Sequence, residues 1–308
     1  MLSRLANNLY WAGRYVERAE NTARLMGVTT YLLLDLPRQT QFDWAPLVEI
    51  TATEPLFRER NKEVTEQSVI EFLTLDCDNP GAVISSLAFA RENLRVARDL
   101  VPREVWEEVN GLYHALRDLD GRSLERRSRQ AIVERIVRSG RLVAGLLDSG
   151  MSRDASYRFF KLGESLERAD MTTRILDVRS EDLLTTTMDG LRPFETIQWM
   201  SVLKSLSGYQ MYRRHERTRV SAKGVLRFLL QNEDFPRAVL HCLDRFDEQL
   251  KRLPENGSCR RGVRVLRGKI QSAAIADLVD SGMSEFIDWI QGDLIELDQR
   301  LHATYFGR

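Results

Sequence analysis

Apolar residues recur three and four positions apart through most of the chain. In segment 3–36, Leu9, Ala12, Val16, Ala19, Ala23 and Met26 fall on one stripe of a helix. Segments 123–148, 152–178, 195–217 and 258–280 carry the same period. Clear alternation of apolar and polar residues, the mark of a half-buried strand, is missing. The eight prolines fall mostly where helices should begin or end. Asn79-Pro80 reads as an N-cap and a first-turn proline, Pro102 opens REVWEEVNGLYHALRDL, and Asp234 caps FPRAVLHCLDRFDEQLKRL, which Pro254 ends. Between Asp35 and Asp76 the pattern is least regular, and Pro37, Pro46 and Pro55 imply short helices and turns. The pattern predicts an all-α fold. No low-complexity linker divides the chain, so residues 1–308 are expected to form a single large helical bundle.

Two helical phrases repeat. YVERAENTARL at 15–25 and SLERADMTTRI at 165–175 are identical at five of eleven positions: Glu17/Glu167, Arg18/Arg168, Ala19/Ala169, Thr22/Thr172 and Arg24/Arg174. Gly13 and Gly163 each stand four residues before the Glu. The corner DSGMS also occurs twice, at 148–152 and 280–284, with Gly150 and Gly282 expected in left-handed C′ positions and Ser152 and Ser284 as N-caps. The helices near 3–36 and 152–178 are therefore pseudo-equivalent, through internal duplication or convergence.

Within the phrase, Glu20–Arg24 and Asp170–Arg174 have the favourable i,i+4 order and read as exposed intrahelical salt bridges, each contributing about 0.3–0.5 kcal/mol. Glu17 and Arg18 are adjacent and need another account. If the two helices cross near Ala19 and Ala169, with the glycines permitting close approach, Glu17 meets Arg168 and Arg18 meets Glu167. Such pairs fix register more than they stabilise. The same convergence of Glu, Arg and Thr could instead bind a small zwitterion, a phosphate or a peptide end. Both readings stay open on the residues alone, and they make Glu17, Arg18, Glu167, Arg168, Asp170 and Arg174 the candidate binding residues.

Composition narrows the classes. Forty-three per cent hydrophobic and 29% charged residues suit an ordinary globular protein, and 45 Lys+Arg against 45 Asp+Glu leave no global field to recruit nucleic acid or an anionic membrane. The longest apolar stretch, around Tyr31–Leu34, is too short to span a bilayer, and charges at Arg4, Arg14, Glu17 and Arg18 interrupt any secretory signal pattern. Cys77, Cys242 and Cys259 form no CxxC pair, which suits a reducing cytoplasm, and Cys77 and Cys242 read as core fillers. His114, His215, His241 and His302 all lack a Glu three residues earlier, so no di-iron motif arises and no metal or cofactor is expected. Locally, charge is uneven. Arg213, Arg214, Arg217 and Arg219 cluster against Glu216, and Arg260, Arg261, Arg264, Arg267 and Lys269 form a basic helix face. Residues 270–299 hold seven acids and no Lys or Arg. The expected outcome is neutralisation between neighbouring helices or solvation; the alternative is an anion-binding or docking surface around YRRHERTR.

The stretch MLSRLANNLYWAGRYVERAENTARL resembles the alpha-E family, a bacterial all-helical group named for its Glu-Arg motif. The likeness continues through ARENLRVARDLVPREVWEEVNGLYHAL, LGESLERADMTTRILD and VLRFLLQNEDFPRAVLHCL, and so covers essentially the whole chain. The resemblance implies genomic company with an ATP-grasp-like ligase and with transglutaminase-like and proteasome-like hydrolases, hence a role in a peptide-tagging or amide-ligating system. It carries over to Glu17, Arg18, Glu167 and Arg168, and more weakly to Arg95, Arg98 and Arg213. On that basis the chain is expected to be a helical partner of the ligase that presents a peptide or amino acid. The alternatives are an enzyme in which one Glu acts as a general base while Arg stabilises a carboxylate or acyl phosphate, and a purely structural scaffold.

Overall fold

The computed structural model describes residues 2–35, 44–185, 192–216 and 219–307. Pro37 and Arg217 lie outside the described residues. Fifteen α-helices are present among those described, and no strand. They are α1 (Ser3–Asp35), α2 (Ala45–Ile50), α3 (Glu54–Arg60), α4 (Glu66–Thr74), α5 (Val83–Val96), α6 (Arg103–Arg117), α7 (Arg126–Gly150) and α8 (Ala155–Thr185). There follow α9 (Arg192–Ser205), α10 (Tyr209–His215), α11 (Ala222–Gln231), α12 (Val239–Leu250), α13 (Gly257–Ser272), α14 (Ile275–Asp280) and α15 (Met283–Tyr305). The chain is all-α.

The long helices α1 and α8 form the axis. Around α1 pack α5, α7, α9 and α15, while α12, α15 and α2 pack on α8. The stripe from Leu9 to Met26 is buried throughout, as its spacing requires. Burial of α1 does not stop at that stripe: Glu17, Glu20, Asn21, Thr22 and Arg24 are also inside. A helix enclosed on most of its circumference must satisfy its polar groups within the protein.

The crossing of α1 and α8 rests on two glycines. A Cβ on Gly13 would stand 2.2 Å from the Phe160 carbonyl oxygen, and one on Gly163 would stand 1.9 Å from the Tyr10 carbonyl oxygen. Backbone meets backbone there, which only a residue without a Cβ allows. The tightest approach is therefore at Gly13 and Gly163, nearer the start of each helix than Ala19 and Ala169, both of which are buried.

Several boundaries differ from the sequence reading, each for a local reason. Asn79 does not cap a helix. Its side chain is buried, accepting from Gly81 N at 2.9 Å and donating to Phe72 O at 3.0 Å, so it stabilises a turn and α5 starts only at Val83. Asp234 likewise precedes a turn, and Ala238 is the N-cap of α12. Segment 195–217 is broken after Ser205, where Ser207 has φ +54°, and segment 258–280 is broken between Ser272 and Ile275.

The two DSGMS corners are unlike each other. Gly282 is left-handed (φ +91°) and forms the N-cap of α15, but Gly150 is the last residue of α7 and has no positive φ. Ser152 caps nothing: Asp154 accepts from Ser156 N and Tyr157 N at the start of α8. Ser284 lies inside the first turn of α15. Cys77 is exposed, so only Cys242 and Cys259 fill the core.

Candidate functional site

Past the glycine crossing, the two Glu-Arg phrases face each other and exchange partners. Arg18 forks onto Glu167, Nε to Oε1 at 2.6 Å and Nη2 to Oε2 at 3.0 Å. Arg168 Nη2 donates to Glu17 Oε2 at 2.7 Å. The reciprocity suggested by the repeat is present.

Each carboxylate has a further guanidinium that the repeat does not contain. Arg14 Nε reaches Glu167 Oε2 at 2.7 Å, and its Nη1 reaches Asp298 Oδ1 at 3.0 Å, an acid that also accepts from the Tyr10 hydroxyl. Arg237, in the turn before α12, donates to Glu17, to Asn21 Oδ1 at 2.9 Å and to Glu20 Oε1 at 3.1 Å. Arg168 is also held by Glu164 at 2.8 Å, and Lys161 approaches Glu164 at 2.8 Å. The Thr172 hydroxyl lies 2.9 Å from the carbonyl oxygens of both Arg168 and Arg237 and ties the two chain segments together.

These partners set the protonation states. Burial alone would raise the Glu17 carboxyl, but Arg168 and Arg237 more than offset it and hold the group well below the carboxylate range. For Glu167, burial is again the opposing effect, and Arg18 and Arg14 bring the carboxyl down to about 2. Burial works against the Arg168 charge, yet Glu17 and Glu164 keep that guanidinium more basic than usual. Cys242 lies beside the cluster, and burial pushes its thiol up to about 12, so it is not a thiolate nucleophile at neutral pH. Two acids held ionised by several guanidiniums are poor general bases.

The equivalence of the two phrases ends one turn later. Glu20 and Arg24 are not an exposed pair. Both are buried, and Arg24 also donates from Nε to Ser205 O at 2.6 Å and to Asn21. Asp170 and Arg174 keep the i,i+4 contact (3.0 Å) but border an open cleft of about 200 Å³. Arg18, Thr22, Glu167 and the Thr51–Thr53 turn between α2 and α3 also line it, together with Ile50, Met171, Pro80 and Gly81. Arg18 lies over the Tyr15 ring, 5.5 Å from its centroid. At the turn, Ala52 has φ +54°, a left-handed conformation disfavoured for an L side chain, held by hydroxyl bonds of Thr51 and Thr53 to each other and to the end of α2.

The remaining candidates do not join this site. Arg95 sits at the exposed end of α5, paired with Glu92, and Arg98 lies beyond the helix in the 3-10 turn Arg98–Leu100. The two do not share a continuous helix face. Arg213 is exposed on α10. On the basic face of α13, Arg260 pairs with Asp247 and Arg267 with Asp244 and Glu233, acids on and before α12, while Lys269 acts electrostatically on Asp293 of the acidic stretch 270–299. Among the described residues, no group of His, Cys, Asp and Glu could hold a metal ion. No described helix is long and apolar enough to cross a membrane.

Arg14, Arg237, Glu164 and Asp298 were not singled out as site residues from the sequence. Arg14 and Glu164 occupy equivalent places, each three residues before the motif Glu, a correspondence hidden by their opposite charge. Arg237 and Asp298 carry no local signal.

An uncharacterized protein of Mycobacterium bovis is 24% identical over 322 residues, covering 98% of this chain and 35% of the relative. An uncharacterized protein of Mycobacterium tuberculosis is 23% identical over the same shares of each chain. The chain thus spans about a third of the length of the curated relatives it matches. No solved structure matches. The family whose description, "a predicted alpha-helical domain with a conserved ER motif", matches residues 1–306 is Alpha-E, and the reciprocal Glu17–Arg168 and Arg18–Glu167 pairs belong to a chain that is a member of it.

Proposed function

We propose that this chain is a non-catalytic helical partner of an ATP-grasp-type ligase, positioning a peptide or amino-acid substrate for ATP-dependent amide formation in the cytoplasm. The observation that carries the non-catalytic part is the engagement of both motif carboxylates, Glu17 between Arg168 and Arg237 and Glu167 between Arg14 and Arg18. A base must be able to take a proton near neutral pH, and these carboxylates are held far from doing so. This weighs against the reading in which a motif Glu deprotonates an amine. The partner part is supported by the resemblance to a family found beside ATP-grasp-like ligases. It is also supported by the length of the mycobacterial relatives, in which the matched region is one part of a much longer chain.

The test is ADP release by the neighbouring ATP-grasp-type protein, supplied with amino acids and candidate peptides, with and without this chain. Turnover that needs both proteins, together with co-elution on gel filtration, is the expected result. Independent elution with an unchanged rate of ADP release would overturn the proposal.

A further inference from the structure

We infer that the cleft between Arg18, Arg174 and the Thr51–Thr53 turn is a binding site for a free α-amino acid, held by its carboxylate and its ammonium group. This deepens the reading of the chain as a substrate-positioning partner and rests on it for its biological meaning.

Donors come first. Arg18 commits Nε and Nη2 to Glu167, and Arg174 commits only Nε to Asp170. Among the described residues, Nη1 of Arg18 and both Nη atoms of Arg174 take part in no hydrogen bond. Their side chains are 25% and 29% exposed, so these N–H groups border the cleft rather than the sealed ion-pair core. Guanidinium forks of this kind suit a carboxylate.

A second, independent observation comes from Thr22. It is 1% exposed, lines the cleft, and its Oγ1 has no hydrogen-bond partner. A buried hydroxyl without a partner is costly. Oγ1 is shut off from the cleft as it stands, and rotation of the Thr22 side chain about χ1 would bring it to a ligand atom there.

Acceptors are present too, and they choose among anions. Asp170 Oδ1 accepts no hydrogen bond among the described residues, while its Oδ2 holds Arg174. On the facing wall the Thr51 and Ala52 carbonyls accept none from the backbone, and the strained φ of Ala52 fixes that turn. A phosphate dianion would be repelled by Asp170 and Glu167 and could not use these carbonyls. A zwitterion satisfies both sets, its carboxylate on the arginines and its ammonium on Asp170 and the turn. The cleft's volume, about 200 Å³, is smaller than the ~300–1,000 Å³ of drug-sized ligand sites and suits a small molecule.

The experiment is isothermal titration of the full chain with each common α-amino acid, with acetate and inorganic phosphate as comparators, repeated on Arg174→Gln and Asp170→Asn. Lys269→Gln, on α13, serves as a remote control, and circular dichroism checks that each variant is folded. Saturable binding of one or more amino acids is expected, weakened about tenfold or more by either cleft substitution and unchanged by the control. Arg174→Lys should recover part of the loss, which a merely misfolded variant would not.

Three results overturn the inference: no saturable binding of any amino acid up to about 10 mM, binding that neither cleft substitution changes, or phosphate or acetate binding more tightly than every amino acid. No ligase is present in this assay, so its failure leaves the partner proposal to the ADP measurement. Amino-acid binding without any effect on ADP release would retain the site and reject the partner.

Discussion

At the scale of single residues, Glu17 shows how burial changes the value of an ion pair. Glu54 and Arg58 form an i,i+4 pair on the surface, and such pairs are worth about 0.3–0.5 kcal/mol. Glu17→Gln instead leaves Arg168 and Arg237 short of their counter-charge in the interior, and removing one partner of a buried pair costs about 3–5 kcal/mol. Chemical denaturation should therefore separate Glu17→Gln from Glu54→Gln by several kcal/mol; equal losses would mean that the cluster is solvated. The pH dependence has a definite sign. Glu167 titrates at about 2 in the folded chain against an ordinary value of 4.5, so it binds fewer protons folded than unfolded at intermediate pH. Its stabilisation is complete above about pH 4.5 and fades as pH falls toward 2. Over that window Glu167→Gln should lose less stability than the wild type does, measured as denaturation midpoints at pH 6, 4 and 3. The reciprocal pairs were legible because the same phrase occurs twice. Arg237 was not, since one arginine in a turn looks like any other until the fold brings it 220 positions back to Glu17.

At the scale of elements, the α1–α8 crossing depends on two missing methyl groups. Gly13→Ala and Gly163→Ala place a Cβ against a backbone carbonyl, which cannot rotate away as a side chain can. Either substitution should cost more than about 3 kcal/mol, at the upper end of overpacking. Gly111 in α6 and Gly145 in α7 have nothing within 4 Å of a Cβ, so alanine there should stabilise by about 0.5–1 kcal/mol through helix propensity alone. Thermal unfolding of the four variants tests the contrast, and a tolerated Gly163→Ala would show that the helices can separate at little cost. The sequence showed these glycines at equal distance before each motif Glu, and it placed the helices. It did not show helix ends governed by tertiary partners. DSGMS takes two conformations because Gly282 opens a helix while Gly150 closes one, and Asn79 spends its amide on Phe72 rather than on a cap. The cleft was equally invisible, because its far wall comes from the irregular segment around Thr51–Thr53, which is distant in sequence from both motifs.

At the scale of the whole molecule, the ion-pair cluster couples the two ends of the chain. Glu17 needs Arg168 and Arg237, Glu167 needs Arg14 and Arg18, and Arg14 also reaches Asp298 in α15. A cut between residues 150 and 151, just before α8, would leave every one of these pairs divided. Each stranded buried charge costs several kcal/mol, against a total stability of about 5–15 kcal/mol for an ordinary domain. Apolar burial follows the same division, because α1 would lose α8 along its length together with α9 and α15. Fragments 1–150 and 151–308 should therefore each lack a cooperative thermal transition by circular dichroism. Mixed in equal amounts, they should recover helicity, a single transition and joint elution on gel filtration. Recovery should fail when fragment 1–150 carries Gly13→Ala, because the crossing is then blocked, and it should survive Gly111→Ala. If fragment 1–150 unfolded cooperatively by itself, the repeated phrase would mark two separable halves, and the reciprocal pairs would form an interface between folded units. If only the mixture folds, the two Glu-Arg helices are a shared core that neither half can build, and the cleft beside Arg18 and Arg174 exists only once both halves are in place.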